Sequence, residues 1–248
     1  MRAMVLAAGL GTRLRPLTED RPKALVTIGS RTLLDLALAR LRAAGVSEVI
    51  VNVHHFAELV IAYLKEHKNF GMRIEISREQ PLLDTGGGVK KAAWFFLEQG
   101  ADEPFLVHNV DVLSSIDLSA MVRFHLEHGA LATLAVQERK TSRPLLFDAG
   151  HQLCGRGAYR SGPPDLVRPA TDPISLAFAG IHVLSPRIFS LLREEGAFPI
   201  VPAYLRLAAE GEPILGYRED AAYWRDLGRL ESLRDAKHDM AEGIYAAD

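Results

Sequence analysis

Apolar and polar positions in the first half of the chain alternate between two periods. Ala3 to Ala8 is a continuous apolar run of strand length. In Thr32 to Ala44, residues Leu33, Leu34, Leu36, Leu38 and Leu41 recur at the spacing of one helix face, and Gly45 supplies the stop. Val49 to Val53 reads as a second short strand, Ala57 to Glu66 as a helix and Met72 to Ile76 as an alternating strand. Gly88 to Glu98 predicts a helix, Phe105 to His108 a strand ending in polar residues, and Asp117 to His128 another helix. Strands alternating with helices of this length predict an α/β protein, a mostly parallel sheet with helices on both faces.

Beyond Leu131 to Val136 the rhythm changes. Leu145 to Asp148, Leu153 to Gly155 and Leu176 to Leu184 read as strands, separated by a long Gly/Pro-rich loop at Ser161 to Pro173. Helices are predicted at Pro186 to Arg193 and Ile200 to Ala209. A strand near Ile214, a Trp-containing turn and a helix at Leu230 to Ala241 follow. The later half predicts a small antiparallel annex closing over one edge of the sheet. No linker composition or internal repeat divides the chain, so 1–248 is expected to form one domain, with the parallel α/β pattern in 1–136 and the closing annex in 137–248.

Composition narrows the partners. A formal net charge of -2, from 29 basic and 31 acidic residues, offers no basic footprint for nucleic acid or an anionic membrane. No apolar run approaches the roughly 20 residues of a membrane span, and Ala3 to Ala8 leads into glycines and arginines, unlike a signal peptide. Cys154 is the only cysteine and reads as a small core residue; with no intrachain disulfide possible, a cytoplasmic protein is expected. Small molecules are the expected partners, with neither nucleic acid nor membrane, and the chain is expected to be a monomer or small homo-oligomer.

The candidate chemistry begins where the first strand ends. Gly9 and Gly11 free backbone N–H groups from side-chain obstruction, as a phosphate-cradling loop requires, and Arg13, Arg15 and Lys23 add positive charge. A Walker A loop needs Gly-Lys-Ser/Thr after four intervening residues, and a dinucleotide fingerprint needs glycine where Leu14 stands; neither fits. The full string Leu6-Ala7-Ala8-Gly9-Leu10-Gly11-Thr12-Arg13-Leu14-Arg15-Pro16-Leu17-Thr18, followed by Pro22-Lys23 and Leu25, resembles the signature of the sugar nucleotidylyltransferases. That resemblance extends in scattered motifs from Arg2 to about Asp226. It implies the Rossmann-like three-layer α/β/α nucleotide-diphospho-sugar transferase fold, with 1–136 the nucleotide-binding half and 137–248 the sugar-binding and closing half. It also implies that Leu6, Ala7, Ala8, Gly9, Gly11 and Thr12 hold a nucleoside triphosphate, Arg13 the leaving pyrophosphate and Lys23 the phosphates at the reacting centre, Arg13 and Lys23 being the catalytic pair.

Asp111 stands at the C-terminal end of a hydrophobic strand, where ligands bind in open α/β sheets. Asn109-Val110-Asp111 resembles the family's Asn-Gly-Asp metal motif, with Val110 in place of glycine. Tyr223-Trp224-Arg225-Asp226-Leu227-Gly228 resembles its Trp-x-Asp-x-Gly motif, so the resemblance implies that Asp111 and Asp226 hold Mg2+. Asp84-Thr85-Gly86-Gly87-Gly88 resembles the base-binding loop, closest to the Glu-Thr-Gly-Gly-Gly form seen in N-acetylmuramate-1-phosphate uridylyltransferases with Asp84 in place of Glu, and related guanylyltransferases carry similar loops. Gly86 and Gly87 serve there either a tight turn or close approach of the base, and Glu79 or Gln80 could pair with the base edge. Phe178-Ala179-Gly180-Ile181 resembles the strand whose glycine admits the hexose ring, with Asn109 beside the substrate; Asn52 faces the same cleft. His54 and His55 read as polar loop residues.

The reaction implied is transfer of a nucleoside monophosphate from a nucleoside triphosphate to a sugar 1-phosphate with release of pyrophosphate. Uridylyl and guanylyl transfer lead. Two alternatives stand: an inactive relative that binds nucleotide sugars and regulates a partner, with Val110 as its support, and a cytidylyltransferase acting on a non-sugar phosphate. No hexapeptide repeat occurs before Asp248, so a fused acetyltransferase is not expected.

Overall fold

The computed structural model describes residues 1–98, 102–157 and 164–245. Four parallel strands form its first half: β1 (Arg2–Leu6), β4 (Glu48–Val53), β5 (Arg73–Arg78) and β6 (Phe105–Asn109), ordered β6-β1-β4-β5. Between β1 and β4 lie a short hairpin, β2 (Thr27–Ile28) with β3 (Arg31–Thr32), and helix α1 (Leu33–Ala43). The Thr32 hydroxyl caps α1 by accepting from the Asp35 N–H at 3.0 Å. Helix α2 (Ala57–Glu66) joins β4 to β5, and α3 (Asp84–Lys91) with the single turn α4 (Ala93–Phe96) joins β5 to β6.

Side-chain alternation along these strands feeds two cores, one on each face of the sheet. Ala3 and Val5 of β1, with Val49, Val51 and Val53 of β4, pack under α1 and α2. Met4 and Leu6, with Ile50, pack under α3 and α4. Strands buried on both faces read as unbroken apolar runs, which is why the pattern located them.

The second half is a mixed continuation. After β7 (Val112–Ser114) and α5 (Leu118–Glu127) come β8 (Ala132–Gln137), β9 (Leu145–Phe147), β10 (Leu153–Arg156), β11 (Asp165–Leu166) and the long β12 (Ile174–Leu184). They are followed by α6 (Ile188–Leu191), α7 (Ile200–Ala209), β13 (Ile214–Arg218), β14 (Trp224–Asp226) and α8 (Leu230–Ala241). β12 runs antiparallel to β6, β8 and β9, extending the sheet to ten strands and linking the parallel half to the antiparallel annex β9-β10-β11. Between Phe178 and His182 it advances four residues while β8 advances two, a bulge centred on Gly180 at φ 76°.

Several boundaries depart from the periodic reading. β1 stops at Leu6 because the Ala7 and Ala8 N–H groups turn to the Asn52 side chain. Helix α3 begins at Asp84, so Gly86, Gly87 and Gly88 are helical instead of forming the connecting loop. The predicted helix at Pro186 to Arg193 is the one turn of α6. β11 occupies part of the predicted loop at Ser161 to Pro173, whose residues 161–163 lie outside those described. No described helix is long and apolar enough to cross a membrane.

Candidate active site

The site forms at the C-terminal ends of β1 and β6. Two side chains position the start of the glycine loop. The Asn52 Oδ1 accepts from the Ala7 N–H at 2.6 Å and the Ala8 N–H at 3.2 Å, and its Nδ2 donates to Glu79 Oε1 at 2.7 Å. Glu79 Oε2 accepts the Leu83 N–H at 2.9 Å. A buried amide and a buried carboxylate thus tie the loop after β1 to the segment before α3, every contact satisfied.

Beyond Ala8 the loop opens. A Cβ at Gly9 would meet nothing within 4 Å, whereas Gly11, at φ 64°, packs against Thr18 and the stem of Lys23, and its carbonyl accepts from the Thr18 hydroxyl at 2.9 Å. Buried Leu14 anchors the turn Thr12–Leu14, leaving Thr12 and Arg13 exposed. Lys23 starts the short turn Lys23–Leu25; it is 8% exposed, and its ammonium ion-pairs with Asp111.

Asp111 and Asp226 arrive from distant segments. Val110 N–H donates to the Leu6 carbonyl at 3.1 Å, extending the β1–β6 ladder to the edge of the site. β14 lies antiparallel to β7 with Asp226 opposite Val112, and the Leu227 N–H donates to the Asp111 carbonyl at 2.8 Å. Asp226 Oδ1 accepts the Gly228 N–H at 2.6 Å. A Cβ at Gly228 would lie 2.7 Å from both Arg13 Nη2 and Asp226 Oδ1, which places the Arg13 guanidinium beside that carboxylate. Val110 buries its side chain in the core and is not among the residues with positive φ, so it imposes no strain at the motif position.

β14 is held from behind. Arg225 donates to Asp239 Oδ2 at 2.6 Å and to the Tyr223 hydroxyl at 3.0 Å, and Tyr223 donates to the same carboxylate at 2.6 Å. Burial and the Asp239 hydrogen bond push the Tyr223 phenol up to about 12. At the other wall, Gly180 admits Asn109: a Cβ there would stand 2.8 Å from Asn109 Nδ2. The Asn109 Oδ1 is buried without a hydrogen-bond partner among the described residues.

Burial pushes His108, beneath the site on β6, down to about 4. It is neutral at pH 7, with Nδ1 2.8 Å from the Asn109 carbonyl. His54 engages the Glu79 carbonyl at 2.7 Å and is a loop-positioning group.

The structure therefore brings together Arg13 with Asp226, Lys23 with Asp111, and Asn109 with Gly180. It turns Glu79, Gly86 and Gly87 inward, against the protein. Glu79 is 1% exposed and both its oxygens are bonded within the protein. Gly86 and Gly87 face Phe198 and the Gly196 carbonyl, and their N–H groups donate to the Phe198 carbonyl at 2.9 and 3.2 Å. Sequence patterns missed the Glu79 buttress, the Arg225–Tyr223–Asp239 brace and the Arg139 guanidinium; no local signal marks them, since Glu79 lies between Arg78 and Gln80 and Arg139 between Glu138 and Lys140.

Residues 2–147 match the nucleotidyl transferase family. The chain belongs to that family. It is 36% identical to N-acetylmuramate alpha-1-phosphate uridylyltransferase of Caulobacter vibrioides over 97% of each chain. It is 30% identical to mannose-1-phosphate guanyltransferase beta-B of Xenopus laevis over 99% of this chain and 68% of that one. Among solved structures, UDP-glucose pyrophosphorylase complexed with UDP-glucose superimposes with a TM-score of 0.78 over 98% of both chains at 20% identity, a likeness of fold. The mostly parallel three-layer architecture expected of this nucleotidyl transferase is thus the one it adopts.

Proposed function

We infer that this nucleotidyl transferase is a magnesium-dependent sugar-1-phosphate nucleotidylyltransferase, with uridylyl and guanylyl transfer the leading activities. The observation that carries the reading is the convergence of Arg13 with Asp226, and Lys23 with Asp111, beside an open glycine loop. The nucleophile, a phosphate oxygen of the sugar 1-phosphate, is already an anion and needs no general base. Neutral, buried His108 accords with that. A bond forms from this oxygen to the α-phosphorus, the bond to the bridging oxygen breaks, and pyrophosphate departs. The residues' task is to align two anionic reactants and offset their repulsion.

Arg13 and Lys23 stabilise the charge gathering on the transferred and departing phosphates. Asp111 and Asp226 offer hard oxygen donors, and no group of three or more His, Cys, Asp or Glu gathers among the described residues. Two carboxylates completed by substrate phosphates and water suit magnesium. Bound there, the ion would supply charge neutralisation and phosphate orientation. Normal packing at Val110 removes the support for an inactive regulatory relative.

The test is pyrophosphate release from UTP, GTP, CTP, ATP and dTTP, each paired with N-acetylmuramate, mannose and glucose 1-phosphates and with phosphocholine. One sugar phosphate paired with UTP or GTP should turn over, stop on chelation and recover with magnesium. Turnover with phosphocholine alone, or with no pair, defeats the reading.

A further inference from the structure

One cation beside the site is unused by the chemistry above. Arg139 stands two residues past the end of β8. Its guanidinium carbon lies 3.4 Å from the centroid of the Trp224 ring, and its Nη2 donates to the Phe178 carbonyl at 2.7 Å. The Nε is buried with no hydrogen-bond partner among the described residues. Trp224 and Asp226 occupy alternate positions of β14 and share a face, so a guanidinium over the indole lies on the side that carries the Asp226 carboxylate. Burial pushes the Arg139 pKa down, and the Asp226 charge pushes it back up.

Arg139 is also tied to the wall that Gly180 forms. Trp224 Nε1 donates to the Ala179 carbonyl at 2.8 Å, so Arg139 and Trp224 take the two successive carbonyls leading into the bulge. Asn109, against Gly180, carries the second unpartnered buried polar atom here. A guanidinium stacked on an indole is held in one orientation, remains charged, and has five donors in a planar fork. The Nε is covered, so a ligand meets this half-buried side chain at the outer Nη edge of the fork. Arg13 and Lys23 both come from the segment after β1, whereas Arg139 approaches from the β8–β9 connection, on the half that holds Gly180.

We propose that Arg139 is the anion-binding residue for the attacking substrate: it receives the phosphate of the sugar 1-phosphate and orients it between Asp226 and the Gly180 bulge. The assignment rests on the nucleotidyl-transfer reading. It divides labour among the cations, Arg13 and Lys23 serving the nucleoside triphosphate and Arg139 its acceptor.

The experiment compares wild type with Arg139→Met, which keeps an apolar stem over Trp224, and Arg139→Lys, which keeps charge without the fork. In steady state, Arg139→Met should raise KM for the sugar 1-phosphate about ten- to a hundredfold, the worth of a lost charge-assisted hydrogen bond. KM for the nucleoside triphosphate should hold, and Arg139→Lys should fall between. Calorimetric titration with N-acetylmuramate 1-phosphate and mannose 1-phosphate reads binding without turnover, and the loss in Arg139→Met should match. A lower melting temperature with unchanged sugar-phosphate KM would make Arg139 a structural clamp and overturn the proposal, as would an equal rise in both KM values. Failure of both probes to bind wild type overturns it too. Arg139-dependent binding of a probe by an enzyme that releases no pyrophosphate defeats the transfer reading and leaves the phosphate site standing.

Discussion

Two glycine-rich segments border the site, and glycine serves a different purpose in each. In the loop after β1, Gly9 borders open space, and Gly11 is demanded by its backbone conformation and by Thr18 and Lys23 packed against it. In α3, Gly86, Gly87 and Gly88 are buried, and their missing side chains make room for Phe198, the Gly196 carbonyl and the Glu79–Asn52 pair. The first segment leaves open room at Gly9, and the second fills its room with the protein's own groups. A glycine motif announces close approach without naming what approaches.

The largest expected effect lies on the open side. Lys23→Ala should lower kcat about a hundred- to a thousandfold, the scale of a lost electrostatic contact to the reacting group, while the protein still folds by circular dichroism. Near-normal turnover would remove Lys23 from the chemistry. On the closed side, Gly86→Ala drives a methyl group into the Phe198 ring and should cost about 3 kcal/mol or more in denaturant unfolding. A fully stable Gly86→Ala would mean that α3 is not packed as described.

The bridge between the segments allows a sharper test. Asn52→Asp sets two carboxylates face to face, and Glu79→Gln sets a donor against either Asn52 Nδ2 or the Leu83 N–H. Each should cost about 1–3 kcal/mol, the range for a buried polar group left unmatched. The double variant restores every bond. Its new carboxylate accepts from the Ala7 and Ala8 N–H groups and from the new amide, whose oxygen accepts from the Leu83 N–H. Stability should recover, together with KM for the nucleoside triphosphate, and additive losses would dissolve the bridge.

Acid should loosen the floor of both segments together. Burial holds His108 at about 4 and His182, which also feels His108, at about 3, against an ordinary 6.5. The unfolded chain therefore takes up these protons first. Stability contributed by the neutral forms is complete above about pH 7 and falls below 6.5 by about 1.4 kcal/mol per pH unit for each histidine. Thermal melts that stay flat from pH 6 to pH 5 would contradict it. The mildest change is Gly9→Ala, whose added carbon meets nothing: melting should hold, while KM for the nucleoside triphosphate rises about fivefold, a partial loss of backbone approach to phosphate. An unchanged KM would mean that the loop does not cradle phosphate.

Legibility in the sequence followed the range of the interactions. Doubly buried strands such as β1 and β4, and the largely buried, leucine-rich helix α1, wrote their periods into consecutive residues. The β2–β3 hairpin and the β7–β14 ribbon are two or three residues per strand, too short for a period, and β7 pairs across more than a hundred positions of chain. Lys23, Asp111 and Asp226 were accessible because their motifs are distinctive, and the structure supplied their pairing. The bonds of Glu79 to Asn52 and Leu83 were out of reach because a carboxylate next to a glycine-rich motif looks the same in sequence whichever way it faces. Arg139 was passed over because nothing in Glu138-Arg139-Lys140 reveals that Trp224, far along the chain, lies beneath it.

The β7–β14 ribbon also makes the carboxylate pair conditional on closure of the chain. Asp111 and β14 are more than a hundred residues apart in sequence, and Asp226, the carboxylate beside Arg13, reaches the site only because β14 docks on β7. Whatever peels β14 away removes one carboxylate and leaves the other in place, so the ribbon is a joint on which the completeness of the site depends.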